Sequence, residues 1–89
     1  MQNLKNTALM FKALAHETRL AIVIGLMKGD GCNVSKIINN LELPQSTISQ
    51  HLTVLRSAGI VEGYKKGSEV CYKVINEKIV KILKDMSVD

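Results

Sequence analysis

Apolar residues recur every three or four positions from Leu4 onward: Leu4, Ala8, Phe11 and Leu14 mark one face, and Leu9, Met10 and Ala13 widen it. This spacing predicts a first helix over residues 4–14. A second, over residues 17–27, is built on Leu20, Ile22, Val23, Ile24 and Leu26 and stops at the breaker cluster Gly29-Asp30-Gly31. Ser35 suits the N-cap of a brief third helix through Ile37, Ile38 and Leu41. Pro44 then opens a fourth helix, because its missing N–H costs nothing in a first turn and its ring holds Leu43 extended. Ile48, Leu52 and Leu55 form the apolar stripe of that helix, and Gly59 ends it.

The period changes after Gly59. Ile60-Val61 and the alternating Val70, Tyr72, Val74 flank a turn at Lys65-Lys66-Gly67-Ser68, which predicts a β-hairpin. Asn76 caps a last helix on Ile79, Val80, Ile82, Leu83 and Met86. The chain is therefore mainly α with a small β-hairpin, in the order α-α-α-α-β-β-α. A short helix, a turn and a longer helix make a helix-turn-helix, and a hairpin directly behind it makes a winged helix.

The polar positions of the fourth helix carry the functional reading. With the apolar stripe turned inward, Ser46, Gln50, Thr53 and Ser57 point outward, and Ser49 lies on the flank. These side chains are short and rich in hydroxyls and amides, which suits a helix that enters a major groove and reads base edges from its N-terminal end. Lys65 and Lys66 on the hairpin would grip neighbouring phosphates. Any surface helix is polar opposite its apolar stripe. The weight lies in the combination of a short helix, a proline-started polar helix and a basic hairpin.

Composition narrows the class. The 89 residues fit one small domain, residues 1–89, and 46% of them are apolar. A domain of this size buries a modest share of its surface, so dimerisation adds stability. The helices within residues 1–15 and 76–89 show more apolar surface than one core needs, Leu4, Ile79, Ile82, Leu83 and Met86 included, and are the expected dimer contacts. The net charge of +4, from 12 Lys and Arg against 8 acids, favours an anionic partner. Two cysteines outside any CxxC framework argue against a secreted disulfide scaffold. The N-terminus lacks the pattern of a secretion signal, and the apolar run at 20–27 is too short to span a bilayer. A cytoplasmic protein with no membrane partner is expected. No Gly-rich phosphate loop, acid–base pair or nucleophile with a partner appears, so an enzyme is not expected.

Three stretches, FKALAHETRLAIV (residues 11–23), QSTISQHLTVLRSAGIV (45–61) and GSEVCYKV (67–74), resemble the ArsR/SmtB family of small prokaryotic winged-helix repressors. The resemblance covers nearly the whole chain. It implies a homodimeric repressor that binds double-stranded operator DNA and releases it on a chemical signal, with the first and last helices at the dimer interface. It also implies DNA-facing roles for Gln45, Ser46, Thr47, Ser49, Gln50 and Arg56, to which the outward face adds Thr53. Arg56 has the alternative of pairing with a carboxylate. His51 is expected to be a packed, hydrogen-bonded histidine at the core edge, and His16 and Glu17 to cap or charge the second helix. The rival to DNA binding is a winged helix serving protein interaction or RNA binding. Only Val54 offers it an exposed apolar residue, and no acid lies between Pro44 and Val61.

Metal sites in this family use a Cys-x-Cys pair at the start of the third helix, or His and carboxylates on the last. Cys32 lacks the second thiol, and residues 77–89 contain no histidine. No metal and no cofactor are therefore expected. Cys32 and Cys71 are the candidate redox pair, because the stretch before the third helix pairs with the wing in a winged helix. Alternation, however, puts Val70, Tyr72 and Val74 on the core face and Cys71 on the other, while Cys32 is read as facing inward. Opposed faces would forbid a bond. Two unreactive cysteines are thus the first expectation, and thiol control the second.

Overall fold

The computed structural model describes residues 2–29, 31–32 and 42–86. The expected third helix lies outside them. The described elements are α1 (Gln2–Leu14), α2 (Glu17–Lys28), α3 (Gln45–Ser57), β1 (Val61–Lys66), β2 (Glu69–Val74) and α4 (Glu77–Asp85). The helix expected as the fourth is thus α3, and the described elements follow one another in the predicted order.

The caps fall where the side chains allow them. The His16 Nδ1 accepts from the Thr18 N–H at 3.1 Å and starts α2, with Glu17 in the first turn. Asn76 Oδ1 accepts from the Ile79 N–H at 3.1 Å and starts α4. The Asn76 amide also reaches Met10 Sδ at 2.7 Å, which ties this start to α1. Pro44 is the N-cap of α3 rather than its first helical residue. At the other end Gly59 adopts φ +75°. The Gly59 N–H then bonds Arg56 O at 3.1 Å, and the Ile60 N–H bonds Leu55 O at 3.0 Å. These two bonds are a Schellman motif, and its apolar clasp is Leu55 against Ile60, both fully buried. The stop of α3 therefore also delivers the chain into β1.

One core holds the elements together. Ile22 and Val23 of α2, Ile48, Leu52 and Leu55 of α3, Ile60, Val61, and Ile79 and Leu83 of α4 are buried in it. Ile79 and Leu83 were expected among the surplus apolar surface, and the structure corrects this. At i, i+4 spacing they form the inner stripe of α4, leaving Ile82 and Met86 outside.

The hairpin is longer than the sequence suggested, which corrects the turn. Lys65 and Lys66 are the last residues of β1, and only Gly67 and Ser68 connect the strands. Gly67 has φ +65° while Ser68 does not enter positive φ, the pattern of a type II′ turn with glycine at its first central position. The register pairs Val61 with Val74, Gly63 with Tyr72, Tyr64 with Cys71, Lys65 with Val70 and Lys66 with Glu69. Directly opposed residues share a face. Val61, Gly63, Lys65, Val70, Tyr72 and Val74 therefore line one face, and Tyr64, Lys66, Glu69, Cys71 and Lys73 the other. Tyr72 and Val74 pack against the core as alternation predicted, but Val70 is 54% exposed. It sits two positions further along the wing, past the edge of the core.

Candidate nucleic-acid interface and the cysteine pair

The polar face of α3 is exposed as its spacing required. Gln45, Ser46, Ser49, Gln50, Thr53 and Arg56 are exposed and Thr47 is half-buried. The Thr53 hydroxyl donates to Ser49 O at 2.9 Å, so its proton is spent inside the helix and its lone pairs stay available as acceptors. No carboxylate among the described residues pairs with Arg56. The N-terminal half of the helix carries no acid and no large side chain on this face.

Lys65 and Lys66 are exposed. As neighbours on a strand they point to opposite faces of the wing rather than together from a turn. On the Lys66 face, Lys73 Nζ lies 3.5 Å from Glu62 Oε1 and 5.6 Å from the centre of the Tyr64 ring. Both contacts are solvent-exposed and contribute little to stability.

Behind α3, Arg19 joins three helices. Its Nε donates to Ala13 O at the end of α1 at 2.6 Å. Its Nη1 donates to Nδ1 of the half-buried His51 at 3.3 Å. The His16 and His51 rings stand 4.7 Å apart. Burial first, then His16 and Arg19, hold His51 below the usual histidine range. His51 is thus the packed, hydrogen-bonded histidine that its position beside the apolar stripe suggested.

The cysteines depart from expectation. Cys32 and Cys71 form a disulfide with Cα atoms 4.3 Å apart. Cys71 lies on the strand face opposite Tyr72 and Val74, as alternation predicted, but that face is not open to solvent there, and Cys71 is fully buried. The error was in Cys32. The Tyr72 N–H donates to Gly31 O at 3.1 Å, so residues 31–32 dock along the free edge of β2. This places Cys32 beside Cys71 on the same face. A Cβ at Gly31 would overlap the Tyr72 carbonyl oxygen, so only glycine permits the approach. A second feature was missed for the same reason. Glu69 lies two positions before Cys71 on one strand face, and ligand atoms of Cys32, Glu69 and Cys71 all fall within 4.8 Å of one another. The sequence showed scattered ligands; the docked edge gathers three of them.

A profile described as the arsR family of bacterial regulatory proteins matches residues 16–63. The transcriptional repressor PagR of Bacillus anthracis is 40% identical over 82 residues, covering 92% of this chain and 82% of PagR. The crystal structure of PagR superposes with a TM-score of 0.83 at 39% identity, over 96% of this chain and 97% of that one. HlyU from Vibrio cholerae gives a TM-score of 0.83 at 31% identity, over 94% and 90% of the two chains. Mb0332 from Mycobacterium bovis, described as a homodimeric winged helix-turn-helix DNA-binding domain, gives 0.85 at 28% identity, over 97% and 79%. With half of its length inside the family profile and its whole architecture shared with these proteins, the chain belongs to the arsR family of regulatory proteins.

Proposed function

We propose that the chain is a sequence-specific DNA-binding transcriptional repressor that works as a homodimer at a palindromic operator in the cytoplasm. The observation that carries this is the exposed, acid-free polar face of α3. Gln45, Ser46, Thr47, Ser49, Gln50, Thr53 and Arg56 meet bases and phosphates in the major groove, while Lys65 and Lys66 flank the backbone from the wing. In a dimer two such helices sit about 34 Å apart and enter successive major grooves. The chain acts by binding, with no catalytic step. Its family and its homodimeric structural relative support the reading. No helix among the described residues is long and apolar enough to cross a membrane. The test is selection of bound duplexes from a random pool, followed by affinity at rising salt. A selected palindrome whose affinity falls steeply with salt supports the proposal. Salt-insensitive binding, or equal binding to all duplexes, refutes it.

A second reading concerns control, and the Cys32–Cys71 bond favours it. Persistent disulfides are rare in the cytosol, where those that form are commonly redox-sensing. This one ties the wing to the stretch that leads toward the helix-turn-helix. Thiol oxidation would therefore change the orientation of Lys65 and Lys66 relative to α3. Operator affinity should differ between oxidised and reduced protein and be indifferent to oxidant in Cys71→Ser. Equal affinities in the two wild-type forms would exclude it.

A further inference from the structure

We infer that the slot between α1 and the end of α3 is a binding site for a small aromatic carboxylate. A hollow of about 480 Å³ lies between Leu9, Lys12 and Ala13 of α1, Arg19 of α2, and Val54 and Ser57 of α3. A second hollow, of about 370 Å³, shares Leu9, Ser57 and Ala58 with it and continues toward Asn6 and Met10. The first alone falls within the range of about 300–1,000 Å³ that small-molecule sites occupy. Leu9 and Val54 are the walls of the slot, 48% and 40% exposed, and the buried Ala13 is its floor. A flat ring suits a slot between two helix flanks. It covers both walls at once and has no internal rotations to lose on binding.

The charge of the slot sits at one end. Lys12 and Arg19 line the first hollow, the second has no charged residue, and no acid lines either among the described residues. Neither cation pairs with a carboxylate among the described residues. The bonds from Arg19 Nε to Ala13 O and from Nη1 to His51 Nδ1 fix the guanidinium and use two of its five N–H donors. The other three are left for a planar anion, whose geometry a guanidinium fork matches. Thr53, also in the lining, donates its hydroxyl proton to Ser49 O and has none to offer. Recognition of the charge therefore falls to Lys12 and Arg19. The ligand that fits is an apolar plate with one negative end, its carboxylate toward these two cations and its ring between Leu9 and Val54.

A second copy of the chain is the competing occupant, and helix geometry directs it elsewhere. At about 100° per residue, Leu4 and Phe11 lie roughly 140° and 160° around α1 from Leu9. The outer apolar stripe and the wall of the slot are thus opposite sides of one helix, and a partner seated on the stripe leaves the slot open.

The test uses the full chain without DNA, so its outcome is independent of the repressor reading. Isotope-labelled protein is titrated to about 1 mM with cinnamate and, in parallel, with the uncharged cinnamamide, while backbone amide resonances are followed. Saturable shifts are expected at Leu9, Val54 and Ser57 and not in the wing strands. Cinnamamide should bind about tenfold more weakly, because the charge-assisted bonds are lost. Lys12→Gln should weaken cinnamate about threefold, the worth of one exposed charge, whereas Lys78→Gln, which removes an equal exposed charge on α4, should leave it unchanged. Val54→Glu should abolish binding, with helix content and sedimentation as in wild type. No saturable shift in wild type, equal affinities for acid and amide, equal effects of the two lysine variants, or normal binding by Val54→Glu would each overturn the site. Loss of a wild-type dimer in Val54→Glu would also overturn it and give the slot to the second copy.

Discussion

In the proposed complex with DNA, single residues on α3 and the wing would divide the work of recognition. Gln50 is exposed near the helix start, and in the proposed complex its amide would meet an adenine edge with two hydrogen bonds. Gln50→Ala should lower discrimination between operator and random duplex by about 1–3 kcal/mol. Lys66 carries charge and no directional fork. Lys66→Ala should weaken binding to both duplexes alike and flatten the salt slope by roughly one unit. Competition titrations at several salt concentrations check both, and identical behaviour of the two variants would refute the division. The exposure of Gln50 was legible in the sequence because helical periodicity alone sets it. So were the Asn76 and His16 caps, whose bonds span two or three residues. The position of Cys32 was not, because the bond that sets it joins Gly31 to Tyr72, far along the chain.

At the scale of elements, the docked edge of the wing and the junction of α1, α2 and α3 give separate handles. The Cys32–Cys71 bond has a sequence separation of 39 residues. The chain-entropy account of such a loop puts its stabilisation at about 4 kcal/mol when the reduced chain keeps its docking, and at less when the edge undocks. Denaturant unfolding should therefore shift to lower midpoint on reduction, and an unchanged midpoint would show that the bond adds no stability to the fold. The helix junction responds to pH instead. His51 titrates below its unfolded value, so the unfolded chain binds more protons in the interval between the folded pKa and the ordinary 6.5. Stability is then complete above the ordinary value and falls as pH drops through it. Thermal midpoints at about pH 7.5 and 5.5 should show this decline, and His51→Gln should flatten it. An equal decline in His51→Gln would move the cause elsewhere. Periodicity placed His51 beside the apolar stripe of α3. Its partners Arg19 and His16 come from α2 and its cap, and only the packing of helices reveals that meeting. Similarly, hydrophobic alternation fixed the faces of β2 correctly but not the reach of the core, and so Val70 was misplaced.

The whole molecule leaves apolar surface that one core does not use. Leu4 is 67% exposed and Met86 66%, and Phe11 and Ile82 are also exposed. These residues lie on α1 and the end of α4, the helices whose sequence already showed too many apolar positions. A monomer rarely leaves so many large apolar side chains in water, and a domain of this size gains proportionally from burying more of them. Partner burial must come from these outer positions, since Ile79 and Leu83 are already committed to the core. Introducing charge on the outer stripe therefore tests dimerisation without disturbing the fold. Leu4→Glu combined with Met86→Glu should turn a dimer into a monomer at micromolar concentration while helix content by circular dichroism stays constant. Operator affinity should then fall much further than non-specific affinity, because two tethered recognition helices gain from each other's binding and a single one does not. Sedimentation of the wild type as a monomer at that concentration would remove the symmetric operator from the proposal, and one recognition helix with its wing would have to supply all of the specificity.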